Sequence, residues 1–217
     1  MERIIELPKD IDADTILYLV ECEVDKNVFI NVPMNYRVIV LVNEKIAFRI
    51  DACAKENIMK AFDKSLNGKM VKFVYMPIGN LPAMSWGFGN IQVNNERLKE
   101  AYKVGVNGKY IVEIKDYIKL LKCFNNANQV TIEDLREKTV SYIRVNGIPI
   151  LSTYFAGTNI SVFEIDSKLQ EIRDKMKSSL MNEKVLGELG VVLSELTVEG
   201  IHVNEEDLEI IRNRLNG

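Results

Sequence analysis

The chain has a single histidine among its 217 residues. Any serine–histidine nucleophilic scheme would therefore have to run through His202. No GxSxG, HExxH or P-loop pattern occurs, so the usual signatures of a hydrolase elbow, a zinc protease or a phosphate cradle are missing. The three cysteines, Cys22, Cys53 and Cys123, show no CxxC spacing. This argues against a zinc site or a disulfide framework and leaves buried, reduced thiols as the expectation. No apolar run approaches the ~20 residues a membrane-crossing helix needs; the longest clean one is Val38–Val42. The opening MERIIELPKD is charged and has no signal-peptide core. Charge of one sign is not in excess either. With 28 Lys and Arg against 31 Asp and Glu, a net charge of -3 and a pI of 5.4, a general electrostatic grip on nucleic acid is not expected. These features together predict a cytoplasmic protein that does not bind nucleic acid.

What is present is ordinary globular composition, 47% apolar and 27% charged, enough for a sizeable core. There is no internal repeat and no low-complexity stretch. The first fifty residues read as strands over Thr15–Val20, Val28–Val32, Arg37–Val42 and Lys45–Ile50, with Asn43-Glu44 as a tight hairpin turn. A short helix is predicted over Lys55–Leu66, closed by Asn67-Gly68. Strands resume at Met70–Met76 and around Ala83–Val93. Another is predicted at Gly108–Ile114, entered through an Asn107-Gly108 turn. Asp116 is placed to cap a helix through Phe124. Thr131 and Asp134 form a possible capping box for a helix to about Val145, which Asn146-Gly147 interrupts before a shorter helix over Pro149–Phe155.

The chain is organised around Thr158–Val203. Ser161 and Glu164 form a capping box, and Val162, Ile165, Leu169, Ile172, Met176 and Leu180 then recur at spacings of three and four, an apolar stripe on one helix face. The positions between, Arg173 and Lys177 among them, are polar and point to water. After Leu186-Gly187 and Leu189-Gly190 the period becomes strand-like, with Val192, Leu196 and Val198 alternating with Glu195, Thr197 and Glu199, and Ile201 and Val203 following a phase shift at Gly200. The last helix is predicted over Glu205–Leu215, capped by Asn204, with Glu205, Glu206 and Asp207 suiting its N-terminal dipole and Leu208, Ile211 and Leu215 on one side. Strands first, helices later and one late strand define an α+β fold.

This order resembles the SPFH family of stomatin, prohibitin and flotillin. The resemblance is carried by Gly108–Phe124 (GKYIVEIKDYIKLLKCF), Ile160–Leu180 and Gly190–Val203 (GVVLSELTVEGIHV). FVYMP (Phe73–Pro77) and SWGFG (Ser85–Gly89) further resemble a soluble bacterial subgroup, virion core protein-like. It implies an SPFH-like domain over 1–203 and a C-terminal helix over 204–217. It also implies a homo-oligomeric, non-enzymatic scaffold or regulator working with membrane-associated proteins, with peripheral contact on the inner face of the membrane. Two departures from the family stand out: the membrane-anchoring hairpin of stomatins does not precede the domain, and the coiled coil or tail of relatives would begin near Glu205.

Each candidate site also has a structural reading. Ser85, His202 and the many carboxylates are the residues a hydrolase reading would draw on, and His202, the only histidine, lies on a strand between Ile201 and Val203. Gly87-Phe88-Gly89 is half a dinucleotide fingerprint and reads better as a bulge or turn. Trp86 reads as packing rather than recognition. Arg136, Lys138 and Arg144 are offset by Glu133, Asp134 and Glu137 as a solvated face. No catalytic, cofactor-binding or metal-binding residue is assigned. An enzyme or small-ligand binder would need a pocket between sheet and helices near Trp86, Tyr75 and Tyr110. A third reading is a cytosolic adaptor that docks a membrane-stress protein by an edge strand or a helix.

Overall fold

The computed structural model describes residues 2–95, 99–158, 160–181 and 186–215, with nothing said of the Leu215 side chain. Among them are twelve strands and five α-helices. The chain forms two compact units, Met1–Leu81 with Ile114–Leu135, and Pro82–Glu113 with Arg136–Gly217.

The first unit holds two sheets. β1 (Arg3–Ile5), β3 (Val28–Val32) and β6 (Cys53–Asn57) make one, with β1 parallel to β3. The other has the order β10-β2-β7-β4-β5, from β2 (Thr15–Glu23), β4 (Tyr36–Val42), β5 (Lys45–Ile50), β7 (Met70–Pro77) and β10 (Gln129–Thr131). Its pairs are antiparallel. In β4 and β7 the runs Val38–Leu41 and Phe73–Met76 are buried on both sides, which explains why they are continuous rather than alternating. The β4–β5 hairpin turns on Asn43 and Glu44, both with positive φ (49° and 61°), the pair a right-twisted two-residue hairpin requires. Asp116 caps α2 (Tyr117–Cys123) by accepting from the Lys119 amide. The expected 55–66 helix is not one element. β6 runs to Asn57, whose Oδ1 accepts from the Lys60 amide to start α1 (Ile58–Ala61); a 3-10 turn, Lys64–Leu66, follows on Asp63. Pairing with β3 holds 53–57 in the sheet, with a register shift and Lys55 at φ 43°, so tertiary contacts override helix propensity there.

The second unit is centred on β9 (Glu100–Ile114), one 15-residue strand. β8 (Met84–Asn95) lines one edge, while β11 (Val191–Leu196) and β12 (Gly200–Val203) share the other. The turn expected at Asn107-Gly108 is therefore mid-strand. Glycine is required there for a different reason: a Cβ on Gly108 would lie 1.9 Å from the Thr197 carbonyl oxygen, so only a bare backbone permits the approach. The late strand is likewise two strands, split by Thr197–Glu199 as the chain crosses this point. Burial alternates along β9, and along β8 on either side of a register shift between Phe88 and Ile91, where Gly89 and Asn90 (φ 59°) are both exposed. The Gly87-Phe88-Gly89 stretch is thus followed by a bulge.

Two helices cover the buried face. α3 (Ile132–Thr158) is continuous through Asn146-Gly147 and Pro149, contrary to the predicted break. Pro149 removes a bond to Val145, at a cost of about 3 kcal/mol, but Leu151 and Phe155 beyond it are 0% and 2% exposed. Each contributes roughly 1.5–3 kcal/mol by burial, enough to hold the helix together. Gly147 is a packing residue: its Cβ would lie 3.0 Å from the Phe88 ring and 3.1 Å from the Met176 methyl. The predicted 161–180 helix starts as a 3-10 segment, Val162–Lys168, before becoming α4 (Leu169–Leu180), which buries Ile172, Met176 and Leu180. α5 (Glu205–Leu215) follows Asn204, whose Oδ1 accepts from the Glu206 and Asp207 amides at 2.9 and 3.3 Å. No described helix is long and apolar enough to cross a membrane.

Two predictions follow from this geometry. Gly108→Ala meets backbone and is expected to destabilise by about 1–3 kcal/mol or more. Gly89→Ala, with nothing within 4 Å of its Cβ, is expected to stay within about 0.5 kcal/mol. Equal denaturation midpoints for the two would refute the reading of Gly108. The second prediction concerns the α3 cap. Asp134 Oδ2 accepts from the Thr131 amide and hydroxyl, both at 2.7 Å, and these bonds hold its carboxyl below the ordinary 3.8. Asp134→Ala is expected to cost about 1 kcal/mol at pH 7, roughly 2–4 °C in Tm for a chain of this size. Because the folded-state value is the lower one, that contribution is full above the unfolded value and disappears as pH falls through the folded one. Melting curves of both proteins should converge at low pH.

Candidate functional site

The most distinctive surface of the second unit is a cleft of about 330 Å³ between the Val162–Lys168 segment, β12 and α5. Its first wall is pinned by a buried carboxylate. Glu100, 8% exposed, accepts from the Ser161 hydroxyl at 3.4 Å and the Val162 amide at 3.3 Å. Asn95 Nδ2 and the Tyr102 hydroxyl both donate to the Ile160 carbonyl, at 3.2 and 2.8 Å. Burial first, then the Glu100 charge, pushes the Tyr102 phenol up to about 12, which keeps it a neutral donor. Glu164 plays its expected part, accepting from the Ser161 amide at 3.4 Å. The opposite wall, α5, is fixed where Asp207 Oδ2 accepts from the Lys103 amide at 2.8 Å and where Ile211 is buried.

Between these walls Val162, Ile165 and Ile201 form an apolar floor. Phe163 stands 51% exposed. Asp166 and Arg212 line the same cleft, both exposed, and neither has an ion-pair or hydrogen-bond partner among the described residues.

His202 lines this cleft and also an open depression of about 320 Å³ over Gly87, Gly89, Gly105 and Asn107. Its Nε2 lies 2.9 Å from Asn107 Oδ1. An amide oxygen only accepts, so Nε2 is the donor in this contact. Ser85 is not its partner. Ser85 pairs with Lys109 and His202 with Gly105, four residues apart along β9, or about 13 Å at strand rise. Proton transfer between them needs hydrogen-bond reach, so the structure does not assemble a Ser85–His202 dyad.

The aromatic candidates are packing residues. Trp86 is 3% exposed, donates from Nε1 to the Thr197 carbonyl at 3.1 Å and lies 4.8 Å from the Phe88 ring. Tyr110 is buried against Thr139, its hydroxyl bonded to Thr139 Oγ1. Tyr75 belongs to the first unit, fully buried, its hydroxyl 2.9 Å from both the Ile5 and Asn31 carbonyls. Trp86 and Tyr110 lie in the second unit and Tyr75 in the first. Arg136 donates to the Ser85 carbonyl at 3.1 Å, a sheet contact that its sequence neighbours did not suggest; Arg144 is exposed. The three cysteines are free and half-buried, and burial raises the Cys22 and Cys53 thiols.

A wider cleft of about 590 Å³ runs between α4 and the β11–β12 crossing. Here Arg173, expected to face water, is half-buried. It donates to the Val198 carbonyl and Gln170 Oε1, each at 3.0 Å, while its buried Nε has no partner among the described residues. Lys109 and Glu199 pair at 3.2 Å nearby. Sequence spacing alone does not find Arg173 or Glu100, because both act on residues distant in the chain. In comparison with known proteins, no family model and no curated sequence matches the chain.

The pinned wall yields a direct test. Glu100→Ala leaves the Val162 amide and the Ser161 hydroxyl unpaired at a buried helix start, a loss of about 1–3 kcal/mol. Glu100→Gln, which keeps an acceptor oxygen, is expected to lose less. Unfolding curves in urea that rank the two variants the other way would contradict the capping role.

Proposed function

We propose that this chain is a non-enzymatic, SPFH-like scaffold that self-associates and holds or regulates membrane-associated protein partners at or near a membrane surface. The observation carrying this reading is the α+β order of the second unit. A stripe-bearing helical segment, Val162–Leu180, is followed by late strands laid on β9, the order that the resemblance to the SPFH family implies. The separation of Ser85 from His202 supports a role without nucleophilic chemistry. In this reading contact with lipid is peripheral or made through partner proteins.

The deciding experiment is light scattering on the purified chain combined with vesicle co-sedimentation. The expected result is a mass that is a multiple of 24.8 kDa and sedimentation with vesicles of bacterial lipid composition, directly or with captured membrane proteins. A strict monomer at high concentration that stays in the supernatant would overturn the proposal.

A further inference from the structure

Four features on one face of the second unit lack a counterpart among the described residues: a projecting phenyl ring, a cleft, an unpaired anion and an unpaired cation. Phe163 is 51% exposed beside the cleft it helps to line. Asp166, on the same 3-10 segment, and Arg212, on α5, both line that cleft and make no ion pair among the described residues. The walls that carry them are held in place, one by Glu100 and the other by Asp207. An exposed phenyl is a large apolar group left in water, and a surface that keeps one beside an apolar floor gains by covering it.

Knob with hole and plus with minus on the same patch is the arrangement a two-fold contact uses, since one surface must complement itself when rotated. We infer that this cleft is a two-fold contact between copies of the chain. Phe163 of each copy enters the other's cleft, and Asp166 of each meets Arg212 of the other, forming two equivalent ion pairs. The inference rests on the self-association proposed above and names the surface that performs it. Charge complementarity selects a second copy as the occupant: a partner of one dominant sign would leave either Asp166 or Arg212 facing a like charge, which costs specificity.

The geometry permits a test that separates a contact between copies from one within the chain. Asp166→Arg alone places two cationic pairs across the interface, and Arg212→Asp alone places two anionic pairs. Each variant is expected to weaken self-association about tenfold or more, and Phe163→Ser to do the same. The two charge variants mixed in equal amounts should associate again as a hetero-pair, because both contacts then join opposite charges. Sedimentation equilibrium on each protein and on the mixture reads the effect. All three positions are exposed or half-exposed, and unchanged melting temperatures would establish that the variants fold.

Recovery in the mixture supports the two-fold contact. An associating wild type whose variants associate equally well overturns this contact while leaving the scaffold proposal standing. Recovery only in the double variant, and not in the mixture, places the pair within one chain and also overturns it. A monomeric wild type sinks the scaffold proposal and this inference together.

Discussion

Everything in the second unit depends on how closely two backbones approach at Gly108. The Thr197 carbonyl occupies the space a Cβ would need, and Trp86 Nε1 donates to that same oxygen. The Thr197 amide donates to the Lys109 carbonyl at 2.8 Å, and the Glu199 amide to Asn107 at 2.8 Å. Lys109 in turn donates its amide to Thr197 Oγ1 at 3.1 Å. A three-residue crossing is thus tied down on both sides. That allows the chain to leave β11 and resume as β12 on the same edge of β9, and β12 delivers His202 and α5 to the surface where the cleft forms.

Polar anchoring does in this unit what capping by neighbours does in most helices. Glu100 is far in sequence from the segment it helps to start, so the position of Phe163 and Asp166 is set by β9 as well as by the local Ser161–Glu164 box. Burying a carboxylate is costly unless its oxygens are satisfied. Here an amide and a hydroxyl satisfy them, and the neighbouring Asn95 and Tyr102 take the Ile160 carbonyl. The result is a 3-10 segment that gives up ideal helical geometry to meet a fixed partner.

Much of the α+β architecture was legible in the sequence, because apolar periodicity and turn chemistry are local. Asn43-Glu44, Asp116, the Thr131–Asp134 box and Asn204 all act within three residues of themselves, and each performs its expected role. The failures share one cause. Asn107-Gly108 resembles a turn but is a strand position cleared for another backbone. Asn146-Gly147 and Pro149 resemble a break, yet burial of Leu151 and Phe155 carries the helix through. Residues 55–57 resemble a helix start, but Glu56 and Asn57 are paired into the sheet by β3. The cleft was less legible still. Phe163, Asp166 and Arg212 are an exposed aromatic and two ordinary surface charges until the Val162–Lys168 segment and α5 bring them together, and no spacing rule relates position 163 to position 212.

The burial of Trp86 has a practical consequence. It is the only indole in the chain, it lies within one of the two compact units, and it is hydrogen-bonded to the crossing at Thr197. Tryptophan emission, excited where tyrosine does not absorb, therefore reports on the integrity of that unit rather than of the other, whose eight-residue strand Met70–Pro77 buries tyrosine and phenylalanine instead. A difference between an emission-detected transition and one followed by backbone circular dichroism measures how tightly the unfolding of the two halves is coupled.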